Sequence, residues 1–188
     1  MGGIVTAFTS ATVNEARNYS RLTNEENARQ ALNRLRMDIH CAKAANGPSE
    51  NSQQGWTFVL TEVVNIDTNT PGCPKLGLLT DPGPPAVYSS YVSWCTVKVS
   101  DNRWRLFRDN VEDCSDTTKR TFMVDYIIHP DIWDVTDLFC PKPFWQQSVG
   151  VNLITNVNPG DPSSHYDLRD VVGLRNSPRA DTTLTCGA

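Results

Sequence analysis

Residues 4–46 read IVTAFTSATVNEARNYSRLTNEENARQALNRLRMDIHCAKAAN, and neither glycine nor proline interrupts them before Gly47-Pro48. A stretch this long without a breaker predicts one long helix, since Gly and Pro are the costliest residues in a helix interior and a Gly-Pro pair is a stop signal. In the second half Ala28, Leu32, Leu35, Ile39 and Ala42 recur at steps of four and three, while Arg29, Asn33, Arg34 and Arg36 fall elsewhere on the wheel. Such spacing puts the apolar residues on one stripe, so Leu32, Leu35 and Ile39 are expected to pack the helix onto the rest of the domain. The first half differs. Asn14 to Arg21 (NEARNYSR) offers only Tyr19 and small residues for burial, and this part is expected to leave the domain.

Length decides the issue. At about 1.5 Å per residue, a helix over 4–46 runs for roughly 64 Å. A compact domain of this size has a radius of gyration of about 16 Å and a width of roughly 40 Å. The leading end, carrying Ile4, Val5, Phe8 and Ala11, must therefore project into solvent, into partner subunits or towards a membrane. Thr23-Asn24-Glu25-Glu26 matches a capping box and offers the alternative of a helix start near Thr23. The hydrophobic staple that would support that start is missing, because the fourth helical position is Asn27.

After Gly47 the pattern becomes apolar-polar alternation punctuated by turn residues. Strands are expected over 56–64, 91–99, 103–108, 122–128, 149–157 and, more weakly patterned, 166–174. Ser100-Asp101-Asn102 is a short polar link, so residues 91–108 read as a β-hairpin. Loops are marked by Asn69-Thr70-Pro71-Gly72, Asp81-Pro82-Gly83-Pro84-Pro85 and Asn158-Pro159-Gly160-Asp161-Pro162. One helix followed by strands predicts an α+β fold, a long N-terminal helix packed on an antiparallel β-sheet. The 188 residues suit a single domain, with a helix over 1–46 and a β-rich head over 47–188.

The cysteines point outside the cytoplasm. Cys41, Cys73, Cys95, Cys114, Cys140 and Cys186 are even in number and widely spaced, without Cys-x-x-Cys or a Cys/His zinc spacing. Disulfides in an oxidising compartment are expected, each adding roughly 3 to 4 kcal/mol by the loop-entropy account. Cys41 could tie helix to sheet. The sequence does not choose among the connectivities; Cys95 with Cys114, across or beside the hairpin, is one of them. Residues 1–13 (MGGIVTAFTSATV) lack the charged start and apolar run of a signal peptide, and no apolar run is long enough to span a bilayer. The chain that crossed the membrane is thus expected to be longer than this one. Seventeen Lys and Arg against 21 Asp and Glu give a formal charge of -4, which supplies no general attraction to nucleic acid or anionic membranes.

Gln30-Ala31-Leu32-Asn33-Arg34-Leu35-Arg36-Met37-Asp38-Ile39, followed by Cys41-Ala42, resembles the end of the helix in minor pilins and pseudopilins of the J/W type, approximately Leu-x-x-Leu-x-x-Asp-Ile with a small residue soon after. Tyr166-x-Leu168 and Val171-Val172-x-Leu174-Arg175-Asn176-x-x-Arg179 look similar to the closing strand of actinobacterial pilin-like proteins. The resemblance implies a pilin-like fold and a structural subunit of a type IV pilus or type II secretion-like pseudopilus. Its partners would be other pilin subunits and the assembly machinery. Such a subunit is anchored in the cytoplasmic membrane through an upstream apolar helix before it enters a cell-surface filament. The leader, the cleavage site and the first apolar half of the helix are absent from this sequence; residues 2–8 would be the end of that half.

Enzymatic chemistry finds little support. Gly-x-Ser-x-Gly, His-Glu-x-x-His, Walker and Gly-x-Gly-x-x-Gly patterns do not occur, so no catalytic residue, metal ligand or cofactor is assigned. His40, His129 and His165 form no short ligand spacing. Asp131, Asp134 and Asp137 recur at steps of three and on a short helix would share a side, the one place where calcium is conceivable. Asp67 to Gly72 begins like a calcium loop, but Pro71 takes a ligand position and Leu78 stands where the Glu should be. Arg103-Trp104-Arg105-Leu106-Phe107-Arg108 interleaves cations with aromatics; in a strand Arg103, Arg105 and Phe107 face one way and the others the opposite way. The alternative function is a secreted or filament-tip adhesin, with contacts from the loops over 71–85 and 131–145 and from Trp133, Phe144 and Trp145 if these are exposed; core filling is the favoured use of such aromatics.

Overall fold

The structure is a computed structural model. It describes residues 2–42, 44–61, 91–111, 114–115, 117–136, 148–158 and 164–174, leaving out the side chains of residues 2–8, 10, 135 and 136. One helix, α1 (Gly2–Cys41), is followed by β1 (Ala44–Glu50), β2 (Trp56–Thr61), β3 (Val92–Ser100), β4 (Arg103–Asp109), β5 (Thr121–Ile127), β6 (Trp133–Thr136), β7 (Ser148–Asn156) and β8 (His165–Gly173). The architecture is α+β with all strand pairs antiparallel.

α1 runs without a break through Thr23, so the capping-box sequence there starts nothing. The helix stops at Cys41, short of the expected end at Asn46. Ala42 N donates to Ile39 O at 3.2 Å, tightening the last turn, and His40 Nδ1 donates to Gly173 O at 3.0 Å. Residues 44–50, including the Gly47-Pro48 pair, form a strand instead of a helix end. Asn46 pairs with Val59 and Ser49 with Thr57, so Gly47 and Pro48 together oppose Phe58 alone. This bulge on an edge strand accommodates a proline that has no N–H to give to a ladder.

The sheet runs β1-β2-β3-β4-β5-β7-β6, and β8 lies along β7. β1 also touches β6, so the sheet curls upon itself. The second half of α1 lies across β5, β7 and β8. Ala28, Ala31, Leu32, Leu35, Ile39 and Ala42 are buried there against Phe58, Leu60, Trp94, Leu106, Val124, Ile127, Leu153 and Leu174. Burial of a large aliphatic side chain is worth about 1.5 to 3 kcal/mol, so Leu32, Leu35 and Ile39 alone hold the helix firmly.

A second departure concerns residues 131–136. The short helix that would be needed to align Asp131, Asp134 and Asp137 does not form: Trp133–Thr136 is strand β6, and Asp137 lies outside the described residues. Trp133, a ligand contact only if exposed, instead fills the core: it is buried and stacks on Phe58 with ring centroids 5.6 Å apart. An indole buried on a core ring is not available to a ligand. Cys95 on β3 and Cys114 form a disulfide with Cα atoms 6.2 Å apart. Cys41 is disulfide-bonded, whereas Cys73, Cys140 and Cys186 lie outside the described residues.

Candidate functional site

Two surfaces stand out, the uncovered front of α1 and the outer face of β4 and β5. Thr9 and every residue from Ala11 to Thr23 are exposed, and burial on α1 begins only at Asn24. At about 1.5 Å per residue, residues 9–23 make an exposed helical front of roughly 22 Å. Ala11 is part of it; Ile4, Val5 and Phe8 are on the helix backbone, with side chains outside the description. Tyr19 is 73 % exposed and Leu22 65 %. At about 100° per residue, Glu15, Tyr19, Leu22 and Glu26 share the side of α1 remote from the buried stripe. Neither Glu15 nor Arg17 has an ion-pair partner among the described residues, and Arg21 pairs with Glu25 at 2.9 Å. Where the helix leaves the sheet, Asn14, Arg17, Asn18 and Arg21 form a notch of about 400 Å³ with Val157, Asn158 and Ser164.

The direction of this front is set by polar clamps that the sequence reading did not single out. Asp38 sits on the apolar stripe and is buried. Its carboxylate accepts hydrogen bonds from Arg108 Nε (2.7 Å) and Nη2 (3.2 Å) on β4 and from Trp94 Nε1 (3.1 Å) on β3, with Arg34 Nε at 3.5 Å. A buried carboxylate needs such partners. The signal was present in the spacing, since an acid three residues after Leu35 and four before Ala42 falls on the face destined for burial. Further along, Arg36 pairs with Asp170, and Arg29 Nε donates to Tyr166 Oη on β8. Arg29 sits above its ordinary pKa, chiefly through that hydrogen bond.

The outer face of β4 carries Arg103, Arg105 and Phe107, the alternation expected from the sequence. Trp104↔Ile127 and Leu106↔Val124 are paired, so Arg105 alone opposes both Asp125 and Tyr126. This is a β-bulge, with Tyr126 at φ 59°, a backbone conformation rare for a bulky side chain. Asp125 binds Arg103 Nε (2.9 Å) and Nη2 (2.7 Å) and Arg105 Nε (2.9 Å), and also accepts from Tyr126 N (2.6 Å). Burial pushes the Asp125 carboxyl up, but the bonds from Arg103, Tyr126 N and Arg105 outweigh it and hold it below its ordinary value. Arg103 stacks on Tyr126 at 4.1 Å, Arg120 stacks on Phe107 at 4.2 Å, and Phe122 meets Phe107 edge-on at 6.0 Å.

The remaining sequence candidates do not converge. Asp131 and Asp134 are exposed, and no group of three or more His, Cys, Asp or Glu suited to a metal exists among the described residues. The 71–85 loop, Phe144 and Trp145 lie outside them. Among the described residues no helix is long and apolar enough to cross a membrane. Comparison with known proteins finds no matching family model, no matching curated protein and no matching solved structure.

Proposed function

We propose that this chain is a non-enzymatic subunit of an extracytoplasmic filament of the type IV pilin or pseudopilin kind, assembled through α1 and displaying the sheet as its head. The observation that carries this reading is the helix itself, which is held by its second half and bare over residues 11–23. Large apolar side chains left in water on a regular helix mark a surface awaiting a partner. Ala11, Glu15, Tyr19, Leu22 and Glu26 recur at steps of four, four, three and four, and Ile4 and Phe8 continue these steps towards the N-terminus. That spacing suits side-by-side contact with equivalent helices. The clamps at Asp38, Arg36 and Arg29 fix the angle at which the helix leaves the head, which a regular filament requires of every copy. The disulfide between Cys95 and Cys114 suits a head displayed outside the cytoplasm.

The test is a chain that begins at Thr23, produced in the native cells in place of the full one. The head should keep its thermal transition while incorporation into surface filaments is lost. Normal incorporation of the shortened chain would overturn the assignment.

A further inference from the structure

The geometry points to the outer face of β4 and β5 as a binding site for an acidic polysaccharide built of carboxylated sugars. The argument starts from charge. The chain as a whole carries -4, yet on this face Arg103, Arg105 and Arg120 lie together, and Asp125, paired with Arg103 and Arg105, is the one carboxylate among the described residues that contacts any of them. A local cationic site on an acidic molecule is a selective one, because the surrounding surface repels polyanions that cannot use it.

Unspent hydrogen-bonding capacity comes next. Asp125 uses Nε and Nη2 of Arg103 and Nε of Arg105, and Gln53 Oε1 accepts from Arg120 Nη1 at 2.7 Å. A guanidinium carries more N–H donors than these bonds consume. Nη1 of Arg103, both Nη atoms of Arg105 and Nη2 of Arg120 have no bond among the described residues. The Arg105 side chain is 41 % exposed, so its donors are open to solvent. Asp125 and the ring stacking of Tyr126 and Phe107 hold the guanidiniums in place, so little side-chain entropy is lost when an anion arrives. Asp125 stays ionised over the working pH range because its carboxyl is held low. The forks are thus preset for further carboxylates, the anion they already grip.

The apolar part of the site selects the polymer. Phe122 is 47 % exposed and pairs across the ladder with Phe107, two residues from Arg105 along β4. Two residues on a strand span about 7 Å. A pyranose ring seated on Phe122 therefore brings a carboxylate on that ring, or on its neighbour, within reach of Arg105. Nucleic acid fits less well, since stacking successive bases needs several free aromatic faces and Phe122 offers one. Arg103 already covers Tyr126, and Arg120 already covers Phe107.

The experiment is titration calorimetry of the full chain with polygalacturonate, dextran, polyglutamate and oligothymidylate. Saturable binding of polygalacturonate that weakens as salt rises, with none to dextran, is expected. Arg105→Gln and Phe122→Ala should each weaken it at least tenfold in variants whose melting transitions show them still folded at the titration temperature. Arg169→Gln, an exposed arginine on β8 paired with Asp167, should leave it unaltered. The proposal is overturned if polygalacturonate does not bind, or if Arg169→Gln weakens it equally. It is likewise overturned if polyglutamate or oligothymidylate binds as tightly.

Discussion

The two halves of α1 are one unbroken helix with opposite surroundings. From Asn24 onward the helix presents Ala28, Leu32, Leu35, Asp38 and Ile39 to the sheet and buries all of them. From Ala11 to Thr23 it buries nothing, meeting the head only at the notch lined by Asn14, Arg17, Asn18 and Arg21, and leaves Tyr19 and Leu22 in water. An isolated helix of this length is marginal in water, because nucleation is unfavourable and each added residue gains little. Tertiary packing supports the back half. The front half has only its continuity with the back half and local pairs such as Arg21 with Glu25, so it is the part whose order depends on something else.

Substitutions that sharpen this contrast begin with the back half. Asp38→Ala should cost about 3 to 5 kcal/mol, since it strands the Arg108 guanidinium and the Trp94 indole N–H in a buried site. Leu35→Ala should cost about 2 to 5 kcal/mol through the cavity it leaves. By contrast, Leu22→Ala on the front half should shift stability by no more than about 0.5 kcal/mol. Urea unfolding of the three variants provides the comparison, and an effect of Leu22→Ala matching that of Leu35→Ala would erase the distinction between the halves.

A smaller effect separates the stripe from the outer face. Asp125 titrates below its ordinary value of about 3.8 in the folded chain. The stability it contributes is therefore present above that value and is lost as pH falls through the lower, folded one. Asp125→Asn should destabilise the protein at neutral pH, and the gap between variant and parent should close as pH drops below about 3.8. A gap that stays constant across this range would dissociate Asp125 from its arginines.

Much of this architecture is legible in the sequence, for identifiable reasons. The stripe on α1 and the strands from β2 to β5, with β7 and β8, follow from periodicity and from turn residues at their ends. β1 escapes because Ala44 and Ala45 favour helix and Gly47-Pro48 resembles a stop; pairing with β2 and burial of Ala45 override both. β6 escapes because Asp131 and Asp134 imitate a helical turn, while the decisive contact, Trp133 on Phe58, joins residues far apart in the chain. On the outer face, alternation correctly groups Arg103, Arg105 and Phe107. Nothing in the local sequence announces the bulge that brings Asp125 and Tyr126 beside them, because its cause is the register between two strands.

Amide hydrogen exchange along α1, measured on the monomer and on the filament proposed for it, tests the central claim most directly. In the monomer, residues 24–41 should be protected and residues 9–23 should exchange rapidly; in the filament both stretches should be protected. Strong protection of residues 9–23 in the isolated monomer, or their continued rapid exchange in the filament, would contradict the account.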